Sequence, residues 1–110
     1  MSDERARRVG LNEALFREVN EEIGALTRSF ADGQAFEIIC ECGDGECTER
    51  LSVNLSVYGK ARANGNTFLI ATGHDIPDLE TVIERFGDYV MVEKHQGLPT
   101  RLAERTDPRT

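Results

Sequence analysis

The sequence lacks any apolar run near the ~20 residues that a membrane-crossing helix needs. Its N-terminus, Met1-Ser2-Asp3-Glu4-Arg5, lacks the apolar core of a secretory signal, so a cytoplasmic location is expected. It is short of positive charge: 13 Lys and Arg stand against 20 Asp and Glu, a net charge of −7. That balance argues against a nucleic-acid duplex or an anionic membrane as the main partner, since both call for clustered Lys and Arg. No basic stretch is interleaved with aromatics; Lys60 and Arg62 stand near one short helix. The chain has no G-x-S-x-G, no H-E-x-x-H and no glycine-rich loop carrying a phosphate-binding lysine, and it has two histidines in all. Most familiar catalytic constellations are thereby removed. Three cysteines do not make a disulfide framework, and a 110-residue chain buries roughly two-thirds of its unfolded surface without one.

What is present is concentrated. All three cysteines fall within Cys40-Glu41-Cys42-Gly43-Asp44-Gly45-Glu46-Cys47. In a reducing compartment such a cluster reads as a metal or redox site rather than a staple. In an extended segment residues two apart share a side, so Cys40 and Cys42 can face one ion. The Gly-containing loop can return Cys47 to the same point, with the glycines taking the backbone angles a reversal needs and turn amides donating to the thiolates. Structural zinc takes four Cys or His ligands in a tetrahedron, so three cysteines leave one place. His74, following a β-rich run and preceded by Gly73, is the first candidate, and His95 the second. Asp44, Glu46 and Asp75 are further candidates, and a water there would permit catalysis. A reversible disulfide among the thiols and an iron–sulfur cluster are the competing chemistries, the latter usually needing four cysteines. The cysteines could also bind nothing.

The surrounding chain reads as α+β. Leu11, Leu15, Phe16, Val19, Ile23, Leu26 and Phe30 recur at three- and four-residue steps, predicting a long helix whose apolar stripe lies on the core, with Glu13, Arg17, Glu18, Glu21, Glu22 and Arg28 mostly opposite. Asn12 is a candidate cap, although Glu4 to Arg8 also suits a helix, and Asp32-Gly33 is the expected stop. Strands are expected at 36–40 and 51–53, joined by the cysteine loop. Asn54 should cap a short helix reaching about Ala63 and weakened by Gly59. Residues 67–71 read as an interior strand. Runs 81–86 and 89–94, split by Gly87-Asp88, read as a hairpin, with a helix over 79–86 as the alternative. Residues 1–10 read as a flexible N-terminus, 11–94 as one zinc-binding domain and 95–110 as a flexible tail. Between Ala31 and Arg50 six acids (Asp32, Glu37, Glu41, Asp44, Glu46, Glu49) face Arg50 alone, which reads as a solvated acidic edge or as a surface for a basic partner.

Phe36-x-Ile38-Ile39-Cys40-Glu41-Cys42, Cys47-Thr48-Glu49-Arg50, Tyr58, Arg62-Ala63, Phe68-Leu69-Ile70, Gly73-His74, Glu80, Val82-Ile83-Glu84 and Tyr89 to Lys94, with the helix from Asn12 to Glu21, resemble a group of small uncharacterised bacterial proteins, chiefly actinobacterial. The resemblance implies that the Gly-His pair accompanies the three cysteines and carries the ligand role onto His74. It implies no activity. The expectation is therefore a long N-terminal helix packed on a small, mainly antiparallel sheet, with a short inserted helix and a Cys-rich metal-binding turn. One structural Zn2+ would sit on Cys40, Cys42, Cys47 and His74. The function expected is non-enzymatic, a protein-interaction or regulatory domain whose partner is another protein. The alternatives are a metalloenzyme with an open zinc position and a thiol/zinc redox sensor.

Overall fold

The computed structural model describes residues 3–27 and 34–109. Phe30, Arg28 and the Asp32-Gly33 stop lie outside the described residues. The elements follow in the order α1 (Asp3–Leu26), β1 (Ala35–Ile39), β2 (Arg50–Asn54), α2 (Leu55–Arg62), β3 (Thr67–Ala71), β4 (Glu80–Arg85), β5 (Tyr89–Lys94) and α3 (Leu98–Arg105). This is an α+β fold. Among the described residues no helix is long and apolar enough to cross a membrane.

The strands form two antiparallel sheets rather than one. β1 pairs β2, with Phe36 opposite Val53 and Ile38 opposite Leu51. β3, β5 and β4 form a three-stranded sheet in the order β3-β5-β4. The β4–β5 hairpin closes through the Phe86 amide on the Tyr89 carbonyl at 2.9 Å, and Gly87, at φ +94°, begins the two-residue turn. Glycine at the first central position is the signature of the II′ turn, whose twist suits a hairpin. A bulge between Val82 and Glu84 leaves Ile83 49% exposed. Asn54 caps α2 by accepting from the Val57 amide at 2.8 Å.

β3 is buried at every position yet stands at the edge of its sheet. Its outer side is covered by the segment from Cys40 to Cys42. The Glu41 amide donates to the Leu69 carbonyl at 2.9 Å, the Leu69 amide donates to Glu41 Oε1 at 3.0 Å, and the Ala71 amide donates to Cys40 Sγ at 3.2 Å. Three polar contacts thus join the two sheets where no strand ladder does, satisfying edge groups that would otherwise be left bare. One core spans the junction, containing Ile38, Cys40, Cys42, Val53, Tyr58, Phe68, Leu69, Ile70, Met91 and Val92.

The long helix differs most from its sequence reading. It starts at Asp3, so Asn12 is not its cap; the Asn12 side chain donates instead to the Gly43 carbonyl at 2.9 Å. Its buried positions are Ala6, Val9, Glu13, Arg17 and Asn20. Four members of the expected core stripe face away, Leu11 at 64% exposed, Leu15 58%, Val19 38% and Leu26 83%, whereas Arg17 is fully buried; of the others, Ile23 packs against the core and Phe16 is half-buried. The reason lies in what the polar face meets. Arg17 donates to the Gly65 carbonyl at 2.7 Å and the Ala103 carbonyl at 2.6 Å, and lies over the Phe68 ring. Asn20 both donates to the Ile39 carbonyl and accepts from the Ile39 amide at 2.8 Å, serving the edge of β1 as another strand would. Glu13 meets Lys94 at 2.6 Å, and Lys94 also meets Glu80 at 2.6 Å. Each of these partners offsets part of the cost of burying such groups.

Part of the stretch read as a flexible tail, 95–110, is the helix α3, which packs on α1 and buries Ala103. The stretch read as a flexible N-terminus, 1–10, holds the first turns of α1, where Ala6 and Val9 pack with Leu79.

Candidate metal centre

The β1–β2 hairpin carries the three cysteines. Cys40 follows the last residue of β1 and keeps the ladder going, its amide donating to the Glu49 carbonyl at 3.0 Å. Extended backbone then places Cys40 and Cys42 on one side and sends Glu41 to the other, against Leu69 and Asn20. The loop turns at Asp44, whose carbonyl accepts from the Cys47 amide and whose carboxylate accepts from the Glu46 amide at 2.9 Å. Asp44 is therefore engaged as a turn former. Gly43 is needed for space rather than for backbone freedom. It is not among the glycines with positive φ, and a Cβ there would overlap the Val9 side chain of α1. The cysteine loop rests directly on the helix.

His74 arrives from the other sheet. β3 ends at Ala71, and a tight turn follows in which the His74 amide donates to the Ala71 carbonyl at 3.0 Å. Gly73 holds φ +89° within it and has open space around it, so its role is conformational. The turn swings the imidazole across the sheet junction. Nδ1 lies 3.7 Å from Cys40 Sγ and 3.7 Å from Cys47 Sγ. The ligand atoms of Cys40, Cys42, Cys47 and His74 all lie within 4.8 Å of one another. A tetrahedral zinc with arms of about 2.3 Å to sulfur and 2.0 Å to nitrogen has S···N edges of about 3.5 Å. The two S···N distances are close to such an edge, and the set could hold a metal ion.

The thiols are free, two of them buried and Cys47 half-exposed. Donation from Cys40 pushes the Cys42 thiol down to about 5, with the Asp44 amide, His74 and Cys47 adding to the effect. The same partnership, together with burial, raises Cys40, while burial and then Cys42 raise Cys47. One thiolate is thus stabilised by the others' protons. A soft cation would take the place of those protons, because thiolate ligation requires deprotonation. The Ala71 amide already points at Cys40 Sγ and would offset part of the ligand charge.

The remaining candidates stand elsewhere. His95 Nε2 is 2.9 Å from Thr81 Oγ1, and its amide donates to the Leu79 carbonyl on the far side of the three-stranded sheet. Glu46 and Asp75 do not join the four-residue cluster. A cleft of about 260 Å3, lined by Cys42, Gly43, Asp44, His74 and Ile76, opens beside it.

Two supporting residues escaped the sequence reading. Glu41, counted with the acidic edge, is 1% exposed; burial raises its pKa, against the pull of Asn20, the Leu69 amide and two arginines. Asn20 Nδ2 holds Glu41 Oε2 at 2.8 Å. The available signal was alternation: an acid between two cysteines of one strand has to point away from them, into whatever covers the other face.

No family model, curated protein or solved structure matches the chain.

Proposed function

We propose that Cys40, Cys42, Cys47 and His74 hold one structural Zn2+, and that the domain so fixed is a non-enzymatic protein-interaction or regulatory module. The observation that carries this reading is the convergence of three soft sulfurs and one imidazole nitrogen from two sheets that share no ladder. Thiolate–imidazole tetrahedra favour zinc over hard cations. The ion would pin the β1–β2 hairpin to the turn after β3 and keep Glu41 and the Cys40 thiol against the β3 edge. With His74 in the fourth place no ligand position is left for an activated water, so the cleft beside the cluster lies next to a closed shell. Free thiols suit a reducing cytoplasm. The partner would be another protein, and the exposed apolar stripe of α1 is the surface that offers it contact area.

Native mass spectrometry of the purified protein before and after chelation, beside His74→Ala and His95→Ala, tests the site. One zinc per chain, lost from His74→Ala and kept by His95→Ala, is the expected result. Zinc retained equally by both variants would overturn the ligand set.

The half-exposed Cys47 at the rim favours a second reading, a thiol/zinc redox switch. Hydrogen peroxide would take two electrons from two thiolates, forming one S–S bond and two waters after uptake of two protons, with release of Zn2+. Peroxide-driven zinc release reversed by a thiol reductant would support it; inert cysteines would remove it.

A further inference from the structure

We infer that the exposed face of α1 is covered by a second copy of this chain, packed antiparallel about a twofold axis at Leu15. The inference rests on reading α1 as an interaction surface and names what occupies it. Leu11, Leu15, Val19 and Leu26 fall within an arc of about 80° on a helix advancing 100° per residue, opposite the buried Glu13, Arg17 and Asn20. They extend over about 22 Å of the axis, at 1.5 Å per residue. Two charges lie within the same arc. Exposed Arg8 lies seven residues before Leu15 and exposed Glu22 seven residues after it, both on the same face. In an antiparallel pair centred on Leu15, positions whose numbers sum to 30 face one another. Leu15 then meets Leu15 of the other copy, Leu11 meets Val19 twice, and Arg8 meets Glu22 twice. The apolar end residue Leu26 lies over the stem of Glu4. A parallel pair would set Arg8 on Arg8 and Glu22 on Glu22. The helix is thus self-complementary in one orientation, as a twofold interface requires, since each copy presents the same patch. Opposite charges set within an apolar seam, either side of its centre, fix both partner and direction.

Sedimentation velocity of the zinc-loaded full chain, from micromolar to millimolar concentration, tests this. Circular dichroism and metal content of every variant confirm that it remains folded and loaded. The wild-type chain is expected to dimerise. Leu15→Glu should leave it monomeric, and Arg8→Glu or Glu22→Arg should each weaken association by about tenfold or more. Mixing Arg8→Glu with Glu22→Arg should restore association, because each unlike pair recovers both contacts. A folded, loaded wild-type chain that stays monomeric overturns the inference. So does a dimer indifferent to Leu15→Glu, or one whose charge-swapped pair fails to recover. A monomer whose binding of a hydrophobic dye is lost in Leu15→Glu would overturn the second copy yet leave the face to another protein. A monomer that binds no dye would remove the interaction reading as well.

Discussion

The cysteine loop and the first helix sit against each other, Gly43 on Val9 and Asn12 on the Gly43 carbonyl, yet they are built on opposite logic. In the loop, residue type and spacing decide the arrangement: thiols two apart on extended backbone face one way, and a four-residue turn brings back the third. In the helix, residue type and spacing suggest the reverse of what is found. Leu11, Leu15, Val19 and Leu26 of its apolar stripe are in solvent, and its buried side carries an acid, a guanidinium and a carboxamide beside Ala6 and Val9. Local chemistry suffices where the partners are a few residues away. It fails where the partners, Lys94, Ala103, Gly65 and Ile39, come from the far end of the chain or from the next sheet.

The largest effect should come from breaking the loop. Cys42→Ser or Cys47→Ser is expected to abolish cooperative unfolding or lower stability by more than about 5 kcal/mol, because structural zinc contributes folding energy outright. Chelation of the wild-type chain should reproduce the loss in a thermal melt; a chelated chain with an unchanged midpoint would break the comparison on the loop side.

On the helix side, the buried polar face should matter far more than Leu26 at the exposed end of the stripe. Lys94→Met leaves Glu13 and Glu80 buried without their shared cation, and a cost of about 3–5 kcal/mol in a denaturant titration is expected. Leu26→Gln, at an exposed position, should stay within about 0.5 kcal/mol. Equal losses at the two sites would mean that the helix is turned the other way in solution.

A smaller effect concerns pH. Burial pushes Glu13 up to about 8, only partly countered by Lys94. Between the ordinary carboxylate range and about 8 the folded chain holds a proton at Glu13 that the unfolded chain has lost. That contribution to stability is complete at lower pH and falls as pH rises through the window, by up to about 1.4 kcal/mol per unit. Denaturant midpoints between pH 6 and 9 should fall less steeply for Glu13→Gln than for the wild-type chain; parallel curves would assign the slope elsewhere.

The smallest effect sharpens a detail. A Cβ at Gly59, within α2, would meet nothing, so Gly59→Ala should raise stability by about 0.5–1 kcal/mol in the same titration. A loss would show that the cavity of about 220 Å3 lined by Gly24, Tyr58 and Gly59 needs the missing side chain.

The sequence by itself determined the elements whose signals are local. Alternation in 36–40 and 51–53 set two strands, the β-prone runs about Gly87-Asp88 set the hairpin, Asn54 set the cap of α2, and the grouped cysteines set three members of the metal-capable cluster, with His74 the first of several candidates for the fourth. The tertiary structure alone decided that the strands split into two sheets, that Glu41 leaves the acidic edge for the β3 edge, and that residues 98–105 form a helix against α1. It also decided which way α1 faces. The physical reason is common to all of these. A buried polar side chain is stable only where a distant segment supplies its partner, and hydropathy along one segment carries no information about a donor or acceptor 19 to 86 residues away.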